Sequence, residues 1–317
     1  MEQHILPVRI TSTIVWLLGT GSNFLVILLS RGSSNDSKCF VLLMRIHAAL
    51  NMVHSTTGWL VTMRHAFSGI GLFIVYGFGG YLGTYFCALV DCFATQGMAL
   101  FPAMISLMML SRTLILHDVV IKQMTVIGMV LVVYLLTLPR FIVVFVSFQE
   151  LPTVRNFSAE IDQETRMLTT YTMVMSSFCS TIFSLYNPVP IIAFVFTIIC
   201  RILLERQLRK FSQVLNTTVR KLHARFMHLL TIDSCVVFLF FLTSYFNFFA
   251  YLTAIWPHLD IYFSLYNYHI FMIPGIIQGF STIWLVPYLH NSLNKVLGIK
   301  ETTKVSTIAI VDKNTPN

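Results

Sequence analysis

Charge is scarce in this chain. Asp and Glu number 13 and Lys and Arg 21 among 317 residues, 11% together, beside 56% hydrophobic residues and a mean hydropathy of +0.75. So little polarity cannot cover the water-facing surface of a soluble domain, and the composition reads as an integral membrane protein. Catalytic motifs are missing as well. There is no Gly-rich phosphate loop, no His-Glu-x-x-His and no Cys-x-x-Cys, so no catalytic residue, metal site or cofactor is assigned and no enzyme is expected. Internal repeats and low-complexity tracts are also absent, which weighs against a transporter built from duplicated halves.

What is present is a series of apolar spans punctuated by charge. They cover residues 10–29, 39–62, 85–110, 125–148, 168–200, 226–256 and 262–289, each about the length a bilayer demands. The expected fold class is therefore all-α: a seven-transmembrane helix bundle. Residues 65–84 are uncharged too, but six glycines there (69, 71, 77, 79, 80 and 83) each weaken a helix by about 1 kcal/mol relative to Ala. This stretch is expected to be an apolar outer loop.

Basic residues orient the bundle. One set of connections with the C-terminal tail holds fifteen Lys and Arg, whereas the other set with the N-terminus holds Arg9, Arg64, Arg155 and Arg166. By the positive-inside rule the N-terminus lies outside and the C-terminus in the cytosol. That placement makes Asn156 of Asn-Phe-Ser a usable glycosylation site, and it explains the net charge of +8 without nucleic acid. Glu2 and Pro7 argue against a cleavable leader, so the first span should act as its own insertion signal. Domain organisation follows simply, with residues 1–297 as the bundle plus an interfacial helix and 298–317 as a cytosolic tail.

Polar groups inside a membrane are costly and are the places to look for function or fastening. Asn23, Asn51, His54 and Asp233 are expected to form an inward network that ties helices together. Arg45, near a helix end, is expected to snorkel to the surface. Asp91 and Arg140 either pair with each other, face a ligand, or snorkel; His269 and Gln278 are pocket candidates. Cys87 and Cys92 have only Cys179 as a partner, and that residue falls inside the fifth span, so a disulfide is disfavoured.

The predicted cytosolic face is basic. Residues 201–225 carry seven basic side chains against Glu205, and they are expected to anchor to anionic lipid or to dock an acidic partner. After Pro287, Leu289, Leu293, Val296 and Leu297 fall on one face of a short helix, which should lie flat on the membrane as an eighth helix.

Several of these features together resemble a G-protein-coupled receptor of the rhodopsin-like superfamily. They are Gly19-x-Gly-x-Asn23, Cys87 and Arg112 bracketing the third span, Asn187-Pro-Val-Pro190 in the fifth, the basic third inner connection and the eighth helix. Thr217 to Phe226, Gln278-Gly-Phe-Ser-Thr-Ile283 and Pro287-Tyr288 are most similar to the nematode serpentine chemoreceptors, class h and related groups. The resemblance implies a small environmental ligand bound in the outer half of the bundle, with Asp91, Gln96, Tyr245, Phe246, Phe249, Tyr266, Tyr268 and His269 as candidate contacts. It also implies a heterotrimeric G protein as partner, met by Arg112, Arg209, Lys210, Arg220, Lys221 and Arg225, in the plasma membrane, with a sensory cilium as one option. One departure matters: Ser111 stands where such receptors carry an acid beside the Arg. A small-solute transporter or channel, and a seven-helix protein that does not signal, are the competing readings.

Overall fold

The computed structural model describes residues 2–32, 38–67, 71–116, 122–150, 168–174, 176–186, 188–212, 225, 227–229, 231–239, 242 and 257–299. Helices dominate because a backbone in hydrocarbon must satisfy its own hydrogen bonds. They are α1 (Glu2–Leu29), α2 (Lys38–Leu60), α3 (Thr84–Leu116), α4 (Gln123–Ser147), α5 (Ser177–Tyr186), α6 (Val189–Ser212), α7 (Met227–Leu239), α8 (Pro257–Leu285) and α9 (Pro287–Val296). Since α5 and α6 form one apolar stretch, Ser177–Gln207, the described residues contain seven helical segments before α9.

Four described helices are long and apolar enough to cross a membrane, and a fifth joins them if the bent pair Met272–Leu285 and Pro287–Val296 is taken as one span. Of those four, α3 is the central one: 76% of its apolar window is buried, against 22–33% for the others. It packs on α2, α4 and α6, while α1 packs on α2 and α8. The lipid-facing side of α4 is exposed and apolar, with Leu131, Val132, Leu135, Leu136, Phe145 and Val146, whereas Val126, Thr137, Arg140, Val143, Val144 and Ser147 turn inward.

A small sheet closes one end of the bundle, where the glycines of residues 65–84 predict a loop. Residues 65–84 are not simply loop. Strands β1 (Met63–Phe67) and β2 (Gly71–Val75) form a hairpin, followed by a 3-10 turn at Phe78–Leu82. With β3 (Phe148–Glu150) and β4 (Thr170–Met173) they make an antiparallel sheet in the order β1-β2-β4-β3. β2 meets β4 with Leu72 opposite Thr172 and Phe73 opposite Tyr171. The fifth span consequently starts at Ser177 and not near 168, because Thr170–Met173 is committed to the sheet. Both faces of β2 are buried: Leu72 and Ile74 pack against Val8 of α1, while Val75, with Met63 and Tyr171, packs against Cys87 and Val90 of α3.

Glycine is required at one point of this end. A Cβ on Gly77 would collide with the Leu60 carbonyl at the end of α2, so the turn lies directly on that helix. Arg9 fastens the same turn from α1, donating to Tyr76 O at 2.8 Å and Tyr81 Oη at 2.7 Å. Its guanidinium also sits 5.5 Å from the Phe78 ring centroid, a cation–π contact. At the opposite end α9 leaves α8 at 85°, the geometry of a helix lying along a membrane surface, as its sequence predicts.

Candidate functional site

Two buried polar regions are built into the described core. The first joins α1, α2 and α8. Asn23 Nδ2 donates to Gly19 O at 2.8 Å within α1 and to Gly275 O at 3.0 Å across to α8. Asn51 Nδ2 donates to Asn23 Oδ1 at 3.2 Å and reaches Gln278 Oε1 at 3.5 Å. His47 Nε2 lies 2.5 Å from the same Gln278 oxygen. That oxygen is an acceptor for Asn51, so the imidazole is the donor and carries its proton on Nε2. All four side chains are buried.

The expected network is thus present for Asn23 and Asn51, and Gln278 belongs to it. Its other expected members lie elsewhere. His54 is one turn farther along α2, where Gly97 of α3 comes so close that a Cβ there would strike the imidazole. Asp233 is buried in α7. His47 was not foreseen, since a lone histidine within an apolar helix gives no local signal. His47, His54, Gly97 and Phe101 line a cavity of about 20 Å³, room for one water molecule.

The second region lies between α3 and its neighbours. Asp91 and Arg140 are both buried, at 2% and 7% exposure, and interact electrostatically. One helical turn deeper, Gln96 Nε2 donates to Thr137 Oγ1 of α4 at 3.3 Å. On the α6 side, Ser106 Oγ lies 3.1 Å from both Ala193 O and Thr197 Oγ1. Hydroxyls that bond across helices in this way fasten a bundle where no hydrophobic effect drives association.

Arg45, expected to snorkel, reaches from α2 to the end of α1. It donates through Nε to Ser30 Oγ at 2.8 Å and through Nη2 to Ser30 O at 2.5 Å. Ser30 follows directly on α1, so the guanidinium ties α2 to the end of that helix. No disulfide forms: all six cysteines are free, Cys87 buried and Cys179 half-buried.

The candidate ligand contacts do not gather at one described cavity. Asp91 and Gln96 turn to α4, whereas His269 meets Thr11 of α1, with 3.1 Å from Nε2 to Oγ1. Tyr266 and Tyr268 lie on α8, with their side chains outside the described set; Tyr245, Phe246, Phe249, Asn156, Arg220 and Lys221 fall outside the described residues. Arg112 lies in the last part of α3, its side chain likewise undescribed. Ser111 beside it turns its hydroxyl back to Met108 O at 2.9 Å. Arg225 is exposed at the start of the sixth span. Arg209 and Lys210 are exposed in the last turn of α6, Arg209 paired with Glu205 at 2.6 Å.

Seven helical segments around a buried third, with a polar seam joining the first, second and seventh, are matched by sequence as well as by shape. The family described as serpentine type 7TM GPCR chemoreceptor Srd matches residues 8–294. The chain belongs to this family. It is accordingly a multi-pass membrane protein of the G-protein-coupled receptor type, with a seven-transmembrane helix bundle and no expectation of catalysis. Among solved structures it is similar to the crystal structure of squid rhodopsin, with a TM-score of 0.59 over 94% of this chain and 86% of that one. Identity is 12%, so that likeness speaks for the Srd receptor's fold alone. No individually curated protein matches the sequence.

Proposed function

We propose that this Srd-family receptor binds a small environmental molecule in the half of the bundle nearest the sheet and activates a heterotrimeric G protein at the α9 end. The observation that carries the reading is the family match over nearly the whole bundle. The fifteen-to-four asymmetry of basic residues supports an outer sheet end and a cytosolic α9 end, in a plasma membrane such as that of a sensory cilium.

In this reading Asp91, Gln96, Tyr245, Phe246, Phe249, Tyr266, Tyr268 and His269 belong to the ligand-binding half. Arg112, Arg209, Lys210, Arg220, Lys221 and Arg225 face the G protein. Agonist acts by binding one packing of the bundle better than another, shifting a population that already exists. The shared Gln278 oxygen is a natural point of difference between two packings, since it holds α8 to α2 through donors from two side chains.

A ligand screen on cells expressing the receptor with a promiscuous G protein tests the function; no response to any chemical class at normal surface expression would favour a receptor-like protein that does not signal. Orientation is tested separately by epitope tags. A tag at Met1 should stain intact cells and a tag at Asn317 only permeabilised ones, with Asn156 glycosylated. Staining of the Asn317 tag on intact cells refutes the orientation.

A further inference from the structure

The elbow between α8 and α9 encloses a cavity of about 140 Å³, lined by Arg225, Trp284, Leu285 and His290. Its described lining is one-sided: a guanidinium, an imidazole and an indole face it, with no carboxylate among the described residues. His290 Nδ1 is buried without a hydrogen-bond partner among the described residues, and its ring stands edge-on to Trp284 at 5.0 Å. Trp284 itself is 68% exposed on the last turn of α8, where an indole marks the boundary between acyl chains and headgroups.

Size narrows the occupant. Pockets for whole drug-sized ligands run from about 300 to 1,000 Å³, so this one admits a group and not a molecule. An arginine with no partner among the described residues, beside an imidazole, selects an anion with several acceptor oxygens. The position selects its source: α9 is amphipathic and turns 85° from α8, which sets the cavity at headgroup depth beside the bilayer.

We propose that this elbow is a binding site for the phosphorylated headgroup of an anionic phospholipid, held by Arg225 and His290 while its acyl chains run past Trp284. A bound headgroup ties the start of the sixth span to α9, two elements that no described hydrogen bond joins. This goes beyond receptor signalling and needs neither agonist nor G protein.

The test uses the purified full-length chain in neutral detergent and follows its thermal unfolding. Probes are short-chain phosphatidylinositol 4,5-bisphosphate, short-chain phosphatidylcholine and inorganic phosphate at matched concentrations. The inositide should raise Tm saturably and the other two should not. Arg225→Gln should weaken the inositide effect about tenfold, the loss of one charge-assisted hydrogen bond, and His290→Leu should weaken it too. Arg209→Gln, on α6, should leave it unchanged. An equal rise with phosphatidylcholine, a rise with inorganic phosphate alone, no rise with the inositide, or an unaltered response in both Arg225→Gln and His290→Leu overturns the site. An equal loss in Arg209→Gln overturns it as well, since charge alone would then explain the effect. No readout here involves signalling, so failure of this site and failure of the receptor reading are distinguishable.

Discussion

Replacing Gln278 by Leu tests whether the seam between α1, α2 and α8 is a coupled unit. The substitution removes one acceptor oxygen from two donors, His47 Nε2 at 2.5 Å and Asn51 Nδ2 at 3.5 Å. The second distance is marginal for a hydrogen bond, so nearly all of the effect should come through His47. Leaving a buried donor unsatisfied costs about 1–3 kcal/mol in water-soluble proteins. Inside a bilayer the unfolded chain also finds partners, and pairwise couplings there average about 0.6 and reach about 1.7 kcal/mol. The membrane figure is the applicable one.

It corresponds to a roughly threefold to twentyfold faster loss of folded protein, if the contact breaks before the unfolding barrier. The buried free cysteines Cys87, Cys92 and Cys200 provide the assay, because a thiol-reactive dye labels them only as the bundle opens. Gln278→Leu and His47→Leu should each speed labelling within that range. The double variant should be no faster than the worse single one, since removing both partners leaves no orphaned donor between them. If the two effects simply add, the pair is not coupled and the seam is a set of independent contacts.

Gly97→Val should cut surface expression sharply, by about 1–3 kcal/mol of overpacking, because a Cβ at 97 runs into His54 of α2; normal expression would show that α2 and α3 have room to separate. Arg112→Ala should abolish agonist signalling at unchanged surface expression, and full signalling would reduce Arg112 to an interfacial anchor. Ser111 spends its hydroxyl on Met108 O, so an acid is missing where a charge-assisted bond of about 1.5–3 kcal/mol would hold the inactive state. Ser111→Asp should therefore lower agonist-free activity, and Asp233→Asn should raise it if the buried Asp233 acts in place of that acid; no basal change in either variant refutes both accounts.

Membrane constraints are written locally, and the parts of the fold that follow from them were legible. Helix α4 lies within two residues of its predicted bounds, since an apolar run between charges has one stable form in hydrocarbon. The turn at Pro287 and the amphipathic α9 were equally plain. The sheet was not, and the reason is particular to it. Strand β2 buries Leu72 and Ile74 on one face and Val75 on the other, so no apolar–polar alternation marks it as a strand. Its neighbouring glycines read as helix breakers, while in the fold Gly77 serves a close approach to α2.

Contacts between helices are the least legible, because nothing in either segment announces its partner. Arg45, expected to snorkel to the surface, takes Ser30 just past the end of α1 as its partner. The polar ligand candidates separate by partner: Asp91 and Gln96 go with Arg140 and Thr137 of α4, and His269 with Thr11 of α1. Each already has a partner across a helix contact before any ligand arrives. An agonist that takes the Gln96 N–H now given to Thr137 would act on the α3–α4 contact itself. Recognition and repacking would then be a single event at that point.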